Sequence, residues 1–311
     1  FFVSSPIIYL LFKCGLQEIT ILSYIVSLNF RVSSVKRIMN FSQLLEICGG
    51  EILSQVNDQK LTSLCIDTRN LSIQKGSIFF AINGVNHDGH LYVNEAFKKG
   101  IRLFVVEKKV EGIDEASVLK VDSAIDALQK IAASHRKRFE YPVIGITGSN
   151  GKTIVKEWLS TLLNSSFNIV KSPKSYNSQI GVPLSVWHMS EEHTLGIFEA
   201  GISKVDEMSN LEKIIKPDIG IFTNLGDAHN EGFLSKVEKA GEKAKLFIGC
   251  EKMIYPKSDK AIENALKRVI DKEERLFGWE VTLAEKDIYL IRVNCYSFKV
   301  RLKFKEHYFI K

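Results

Sequence analysis

The residues with the clearest chemistry lie between Val143 and Leu159, where the chain reads Val-Ile-Gly-Ile-Thr-Gly-Ser-Asn-Gly-Lys-Thr and then Ile-Val-Lys-Glu-Trp-Leu. Pro142 precedes a short apolar run, Val143 to Ile146, that suits a buried strand; Thr147 to Gly151 is small and glycine-rich; Lys152 opens a stretch of helical periodicity. Strand, glycine loop and helix in that order make a phosphate cradle. Glycines let backbone N–H groups close around phosphate oxygens, the helix N-terminus adds partial positive charge, Lys152 can reach the outer phosphates, and the Thr153 hydroxyl can ligate Mg²⁺. The common P-loop spacing would put glycine at position 146, where this chain has Ile146. The stretch Thr147-Gly148-Ser149-Asn150-Gly151-Lys152-Thr153 is a tighter variant. Gly, Lys and Thr in register after a strand argue against a chance glycine turn, so these residues are the expected nucleotide site.

Two further groups fall at strand ends. Leu195 to Phe198 reads as a strand closed by Glu199-Ala200-Gly201, and Ile219 to Phe222 as one followed by Thr223-Asn224-Leu225-Gly226-Asp227-Ala228-His229. In an open parallel sheet ligands sit beyond the carboxyl ends of strands, so Thr153, Glu199 and His229 converge. A hydroxyl and a carboxylate beside substrate phosphates suit Mg²⁺, with His229 a less usual nitrogen ligand. Taken singly, Glu199 could be a surface carboxylate and His229 a capping residue. Earlier in the chain Asp67, Arg69, His87, Asp88 and His90 cluster at strand ends; each could be a turn or cap residue, but together they make an anionic ligand plausible.

The elements that must position these residues follow from periodicity. A helix is expected over 41–48, stopped by Gly49-Gly50, then strands over 61–66 and 77–82, a helix over 92–99 and a strand over 101–106. These make a small α/β domain, residues 39–140, joined by a helix over 124–139 to a second domain, residues 141–311. The second alternates strands (143–146, 168–170, 195–198, 219–222, 252–255) with helices (152 onward, 206–215, 235–248, 259–270), which predicts a doubly wound, mostly parallel sheet. The strictly alternating run Phe298 to Phe304 reads as a half-buried strand. Lys236, Lys239, Lys243 and Lys245 on the helix over 235–248 read first as a solvated face.

Composition fits these two α/β units: 45% hydrophobic and 25% charged residues, as in ordinary globular proteins. The net charge of +6 is dispersed, which favours anionic substrates and gives no concentrated basic face for nucleic acid. Five cysteines without a Cys-x-x-Cys pair point to reduced thiols and a cytosolic protein. The segment before Met39 starts at Phe1, and Lys13, Glu18 and Arg31 interrupt its apolar runs. It falls short of the roughly 18 uninterrupted apolar residues of a membrane span. Residues 1–38 therefore read as translated upstream sequence, with a membrane anchor as the alternative, and no stable membrane insertion is expected.

The motifs Thr147 to Thr153, Tyr176-Asn-Ser-Gln-Ile-Gly-Val-Pro-Leu184, Glu199-Ala-Gly201 and Asn224-Leu-Gly-Asp-Ala-His-Asn-Glu-Gly-Phe233 resemble the Mur ligase family, ATP-dependent ligases of peptidoglycan synthesis. Asp67-Thr-Arg69, Gly76 to Ala81 and Asp88-Gly-His90 resemble the uridine-nucleotide region of its tripeptide- and pentapeptide-making members. The strings after Glu199 and Ala228 are most similar to the member that joins D-alanyl-D-alanine to UDP-N-acetylmuramoyl-tripeptide. The resemblance implies that Lys152 binds ATP phosphates, that Thr153, Glu199 and His229 hold Mg²⁺, and that Asn177 lies near the reacting phosphate. It implies a carbamylated metal-ligating lysine at Lys243, with Lys245 the other choice. Asp67, Thr68, Arg69, Asp88 and His90 would bind the uridine nucleotide.

The implied reaction passes through an acyl phosphate and needs no protein nucleophile, in a cytoplasmic monomer. Ser178 replaces the family's usual second asparagine. The family's Gly-x-His-Asn segment and third, Rossmann-like domain are missing after Lys311, so this chain alone is expected to have little ligase activity. Another Mur-type ligase, tripeptide-forming or folylpolyglutamate-like, and a nonenzymatic nucleotide-binding module are the alternatives.

Overall fold

The computed structural model describes residues 39–301, apart from 57, 70–73, 85–86, 227–231, 286–287 and 294–295. Residues 1–38, His229 and the part of the alternating run beyond Arg301 thus lie outside the described residues. Two sheets organise the rest. The first has five strands in the order β1-β5-β4-β3-β2: β1 is Glu51–Ser54, β2 Ser63–Cys65, β3 Ser77–Phe80, β4 Leu103–Val106 and β5 Ser117–Lys120. Strands β2 to β5 pair in parallel, and β1 runs antiparallel at the edge.

Strands β3 and β4 are buried along their whole length, because both faces of this sheet are covered. Ile78 and Phe80 face α1 (Gln43–Cys48) and α3 (Ala124–Arg136), whereas Phe79 packs with Phe104 against α2 (Val93–Lys98). A 3-10 turn, Gly89–Tyr92, precedes α2, so the helix is shorter than its periodicity suggests.

The second sheet has eight strands in the order β13-β12-β11-β10-β9-β6-β8-β7. Here β6 is Val143–Thr147, β7 Ile169–Lys171, β8 Leu195–Glu199, β9 Ile219–Phe222 and β10 Lys252–Pro256. These five are parallel, with β6 at the centre between β8 and β9. The helices are α4 (Lys152–Leu163), α5 (Gly181–Val186), α6 (Glu207–Ile215), α7 (Lys236–Ala244) and α8 (Lys260–Val269). Ser235 and Asp259 cap α7 and α8 through side-chain oxygens that accept first-turn N–H groups. The helix expected over 235–248 breaks at Ala244 into a 3-10 turn, Lys245–Phe247.

Four strands escaped the sequence reading. Strand β1 is a half-exposed edge, and β5 is short and follows an acidic turn. Leu276–Glu285 (β11) and Ile288–Val293 (β12) form an antiparallel extension with Tyr296–Arg301 (β13), which starts two residues before the expected run. Phe277, Trp279, Val281 and Leu283 alternate with Gly278, Glu280 and Thr282, a period-2 signal for β11 that was present in the sequence.

Helix α3 fastens the two sheets to each other, ending at Arg136 and not at Phe139. Its Ala124, Ala127, Leu128 and Ile131 belong to the first core and its Ala132 to the second. The Arg136 guanidinium is buried and donates to the carbonyls of Ile215 (2.9 Å) and Lys216 (3.1 Å), which closes the C-terminus of α6. Trp187 Nε1 donates to the Thr62 carbonyl at 3.1 Å.

His135 sits in this seam, its ring 4.4 Å from that of Trp187 and 5.0 Å from that of Phe139. Its Nε2 bonds the Met189 carbonyl at 3.0 Å, so the proton of the neutral ring lies on Nε2. Burial pushes its pKa down from 6.5 to about 4. The unfolded chain therefore takes up this proton first as pH falls, and the associated stability, complete above the ordinary histidine pKa, is lost between 6.5 and about 4. Urea unfolding at about pH 7.5 and about pH 5 is expected to show roughly 2 kcal/mol more loss in the unaltered protein than in His135→Gln.

Candidate nucleotide and cation site

The site lies at the carboxyl ends of β6, β8 and β9, which is where a doubly wound sheet opens a crevice. In register, Ile146 pairs with Glu199 and Thr147 with Phe222, so Gly148, Ala200 and Thr223 emerge side by side. The loop from Gly148 to Gly151 is held to the chain after β9. Ser149 N–H donates to the Asn224 carbonyl (2.9 Å), Asn150 N–H to Asn224 Oδ1 (3.0 Å), and the Thr223 hydroxyl to the Asn150 carbonyl (2.6 Å). Gly151 takes φ +80 and caps α4, leaving the helix's first-turn N–H groups without a carbonyl inside the helix.

Lys152 curls over the loop and donates to the carbonyls of Gly148 (2.9 Å) and Ser149 (3.4 Å). Burial pulls its pKa down, with Glu199 acting the other way and Lys239 adding to the fall. Two lysines of α7 approach from the other side. Lys243 lies 3.4 Å from the Gly148 carbonyl, and Lys239 donates to the Gly226 carbonyl at 2.9 Å. Both are buried, so the solvated-face expectation is corrected for them, while Lys236 keeps to the surface beside Asp259. Burial, then Lys152 and Lys239, bring the Lys243 pKa down to about 7. Lys245 is different: Glu242 at 2.6 Å and Asp206 at 3.2 Å push its pKa up.

Glu199 is fully buried. Its Oε2 accepts from the Thr153 hydroxyl (3.0 Å) and from Asn177 Nδ2 (3.4 Å), and the Ser175 hydroxyl lies 3.2 Å from that of Thr153. Its Oε1 lies 2.9 Å from the Lys156 ammonium, outside hydrogen-bond geometry, and has no hydrogen-bond donor. The Asn177 carbonyl is anchored by Gly201 N–H at 2.8 Å. Among the described residues no group of three or more His, Cys, Asp or Glu side chains could hold a metal ion. The donor set is one buried carboxylate whose Oε2 lies among the Thr153 and Ser175 hydroxyls, beside a phosphate cradle, which suits a hard cation that keeps waters and substrate oxygens. Mg²⁺ fits this set.

The structure thus brings Thr147, Gly148, Ser149, Asn150, Gly151, Lys152, Thr153, Asn177, Glu199 and Lys243 together; His229 lies outside the described residues. Lys156, Thr223, Asn224 and Lys239 were not anticipated. Lys156 stands one turn after Lys152 on a helix already placed, and that spacing was the signal available.

The residues of the first sheet have fewer free groups. Asp67 holds Arg69 N–H (2.9 Å) and its guanidinium (2.6 Å), which lowers the Asp67 pKa to about 2, and the Arg69 side chain is 83% exposed. The buried Thr68 gives its carbonyl to Lys99 at 2.7 Å. Asp88 accepts from His90 N–H and Nδ1 (2.9 and 2.6 Å) and pairs with Lys108 at 2.6 Å, which holds its carboxyl well below the usual range. Glu107 N–H donates to His90 Nε2 at 2.9 Å. Asp88 and His90 therefore shape the loop before α2.

Fold and cradle together define a P-loop protein. Residues 146–308 match the Mur ligase middle domain and residues 60–136 the Mur ligase catalytic domain. The UDP-N-acetylmuramoyl-tripeptide--D-alanyl-D-alanine ligase of Rickettsia prowazekii is 34% identical over 76% of this chain and 50% of its own length. The Synechocystis ligase of that name is also 34% identical, over 64% of this chain and 43% of its own. The crystal structure of MurF from Acinetobacter baumannii superposes with a TM-score of 0.72 at 23% identity, covering 86% of this chain and 61% of that one. The Thermotoga maritima MurF solved with ADP gives 0.64 at 23%, over 77% and 57%. The chain belongs to the Mur ligase family. It spans about half the length of these two curated relatives.

Gly148 tests how tightly the loop is built. It takes φ +144, and a Cβ there would meet Thr223 Oγ1 at 2.0 Å and the Asn224 backbone at 3.0 Å. Gly148→Ala is expected to lower stability to urea by about 2 kcal/mol or more. Adding Thr223→Ala should recover only part of that loss, because the Asn224 backbone still blocks the methyl group.

Proposed function

We propose that the protein containing this chain ligates D-alanyl-D-alanine to UDP-N-acetylmuramoyl-tripeptide at the expense of ATP, in cytoplasmic peptidoglycan precursor synthesis. The observation that carries the reading is the buried Glu199, with Oε2 3.0 Å from the Thr153 hydroxyl at the mouth of the glycine loop, in a chain of this family. Residues 39–140 would bind the uridine nucleotide through Asp67, Thr68 and Arg69, which follow β2, and through Asp88 and His90 in the loop before α2. Residues 141–311 would bind ATP.

In this mechanism the peptide carboxylate attacks the γ-phosphorus of ATP and displaces ADP, and the amine of D-alanyl-D-alanine then attacks the acyl carbon of the acyl phosphate, loses a proton and expels phosphate. Lys152 offsets charge on the transferred phosphoryl group, and Asn177 holds the carboxylate side of the site in register. Thr153 and Glu199 would hold Mg²⁺ with His229, and the cation supplies Lewis-acid stabilisation of phosphate charge. No protein nucleophile is needed.

Lys243 is the residue proposed for carbamylation. A neutral amine adds to carbon dioxide and sheds a proton, and burial among cations favours the neutral form of Lys243. Lys245, gripped by Glu242 and Asp206, is held as a cation. With isotopically labelled bicarbonate, a carbamate NMR signal should survive Lys245→Ala and vanish in Lys243→Ala.

The decisive assay follows phosphate release from Mg-ATP by the gene product that carries this chain. Release should need both UDP-N-acetylmuramoyl-tripeptide and D-alanyl-D-alanine, and fall at least about 100-fold in Lys152→Ala. Release with neither substrate, or ATP binding without any release, would overturn the substrate assignment.

A further inference from the structure

The proposed reaction gives no part to Lys156, yet this is the most completely enclosed cation near the site. Its side chain and that of Glu199 are both 0% exposed, with Nζ 2.9 Å from Oε1. A lysine alone in such a place would be very costly, and its surroundings are built to receive it. The ammonium donates to the Ser172 carbonyl at 2.7 Å and also to the Lys174 carbonyl. It lies 3.2 Å from Glu157 Oε1, whose partner oxygen pairs with Lys171 at 2.5 Å. Ser172 answers from its own side: its hydroxyl accepts the Glu199 N–H at 3.2 Å.

These bonds join three segments. Helix α4 carries Lys156 and Thr153; the segment after β7 carries Ser172, Lys174 and Ser175; β8 carries Glu199. Lys174 takes φ +48, in the left-handed region that a lysine rarely adopts, and the carbonyl it presents there is one of the two that Lys156 grips. With the cation on the Oε1 side, the carboxylate turns Oε2 to the Thr153 hydroxyl and the Asn177 amide.

We propose that Lys156 is a positioning residue for the divalent cation: anchored on the Ser172 and Lys174 carbonyls, it fixes the Glu199 carboxylate so that Oε2 and the Thr153 hydroxyl face the phosphate cradle together. This rests on the reading of Thr153 and Glu199 as cation ligands. The ammonium contacts are to protein groups, Glu199 among them, so the influence of Lys156 passes through Glu199. A lysine that merely competed with the cation for the carboxylate would have the opposite effect when removed.

The test compares binding of a fluorescent ADP analogue to the unaltered chain and to Lys156→Met, once in EDTA and once with saturating Mn²⁺. In the unaltered chain Mn²⁺ should tighten binding. Lys156→Met should bind as well as the unaltered chain in EDTA but lose about tenfold or more of the Mn²⁺-dependent gain, the scale of losing a residue that orients a metal ligand. An equal or larger gain in Lys156→Met would overturn the proposal. If the unaltered chain shows no gain from Mn²⁺, the cation-site reading fails, and the proposal fails with it. Should Lys156→Met not fold, Lys156→Met/Glu199→Gln removes both buried charges and is compared with Glu199→Gln. If the lysine acts only through the carboxylate, the two bind the analogue equally in EDTA; weaker binding by the double variant would overturn it.

Discussion

The constraint on which the second sheet depends is the burial of a whole ion pair, Lys156 with Glu199, at the point where its central strands end. Taking two charges out of water costs several kcal/mol each, and their attraction repays this only when the remaining polar groups are also satisfied. Here the lysine side is satisfied by two loop carbonyls, while one oxygen of Glu199 is left without a hydrogen-bond donor. Apolar pairs of the same volume often fold at least as well. The polar arrangement is explained by what it holds in place: a carboxylate beside a hydroxyl, at the mouth of a phosphate cradle.

The same accounting applies to the other lysines. Lys152 and Lys243 converge on the glycine loop and Lys239 on the Gly226 carbonyl beside it, and burial, then Lys152 and Lys239, lower the Lys243 pKa. They are tolerated because backbone carbonyls of Gly148, Ser149 and Gly226 face them. A loop whose carbonyls point at ammonium groups and whose helix presents N–H groups is a concentrated positive field, so its natural complement is a polyanion. Conformation and charge meet at Gly148, where any side chain would displace Thr223 and with it the bond that fixes Asn150.

The cradle was legible in the sequence because its chemistry is local: strand, glycines, lysine and threonine follow one another along the chain. Thr153 with Glu199 was legible through one step of topology, since parallel strands put their carboxyl ends together. The roles of Lys156 and Lys239 were not, because burial of a lysine depends on which helix face meets the sheet, and a run of lysines reads equally well as a surface. Strand β1 was missed for a related reason: an edge strand is stabilised by its partner, and Glu51-Ile-Leu-Ser54 carries no alternation to mark it, whereas β11 does alternate, at Phe277, Trp279, Val281 and Leu283, and was legible. Helix α3, read in advance as the link between the halves, is also the element that locks them.

That lock sets what the site can do. Gln129 of α3 donates to both the carbonyl and the side-chain oxygen of Gln179, and Gln179 donates in turn to the Glu207 carbonyl at the start of α6. Two residues before Gln179, Asn177 touches Glu199, and Gly201 holds the Asn177 carbonyl. The loop facing the cation site is thus pinned between a helix that belongs to both cores and the chain leaving β8. In the proposed reaction a ligand on the first sheet and one in the cradle would face each other across this bonded seam. For a reaction whose rate depends on holding a carboxylate in line with a phosphate, the bonds across the seam would be the contribution of the fold itself.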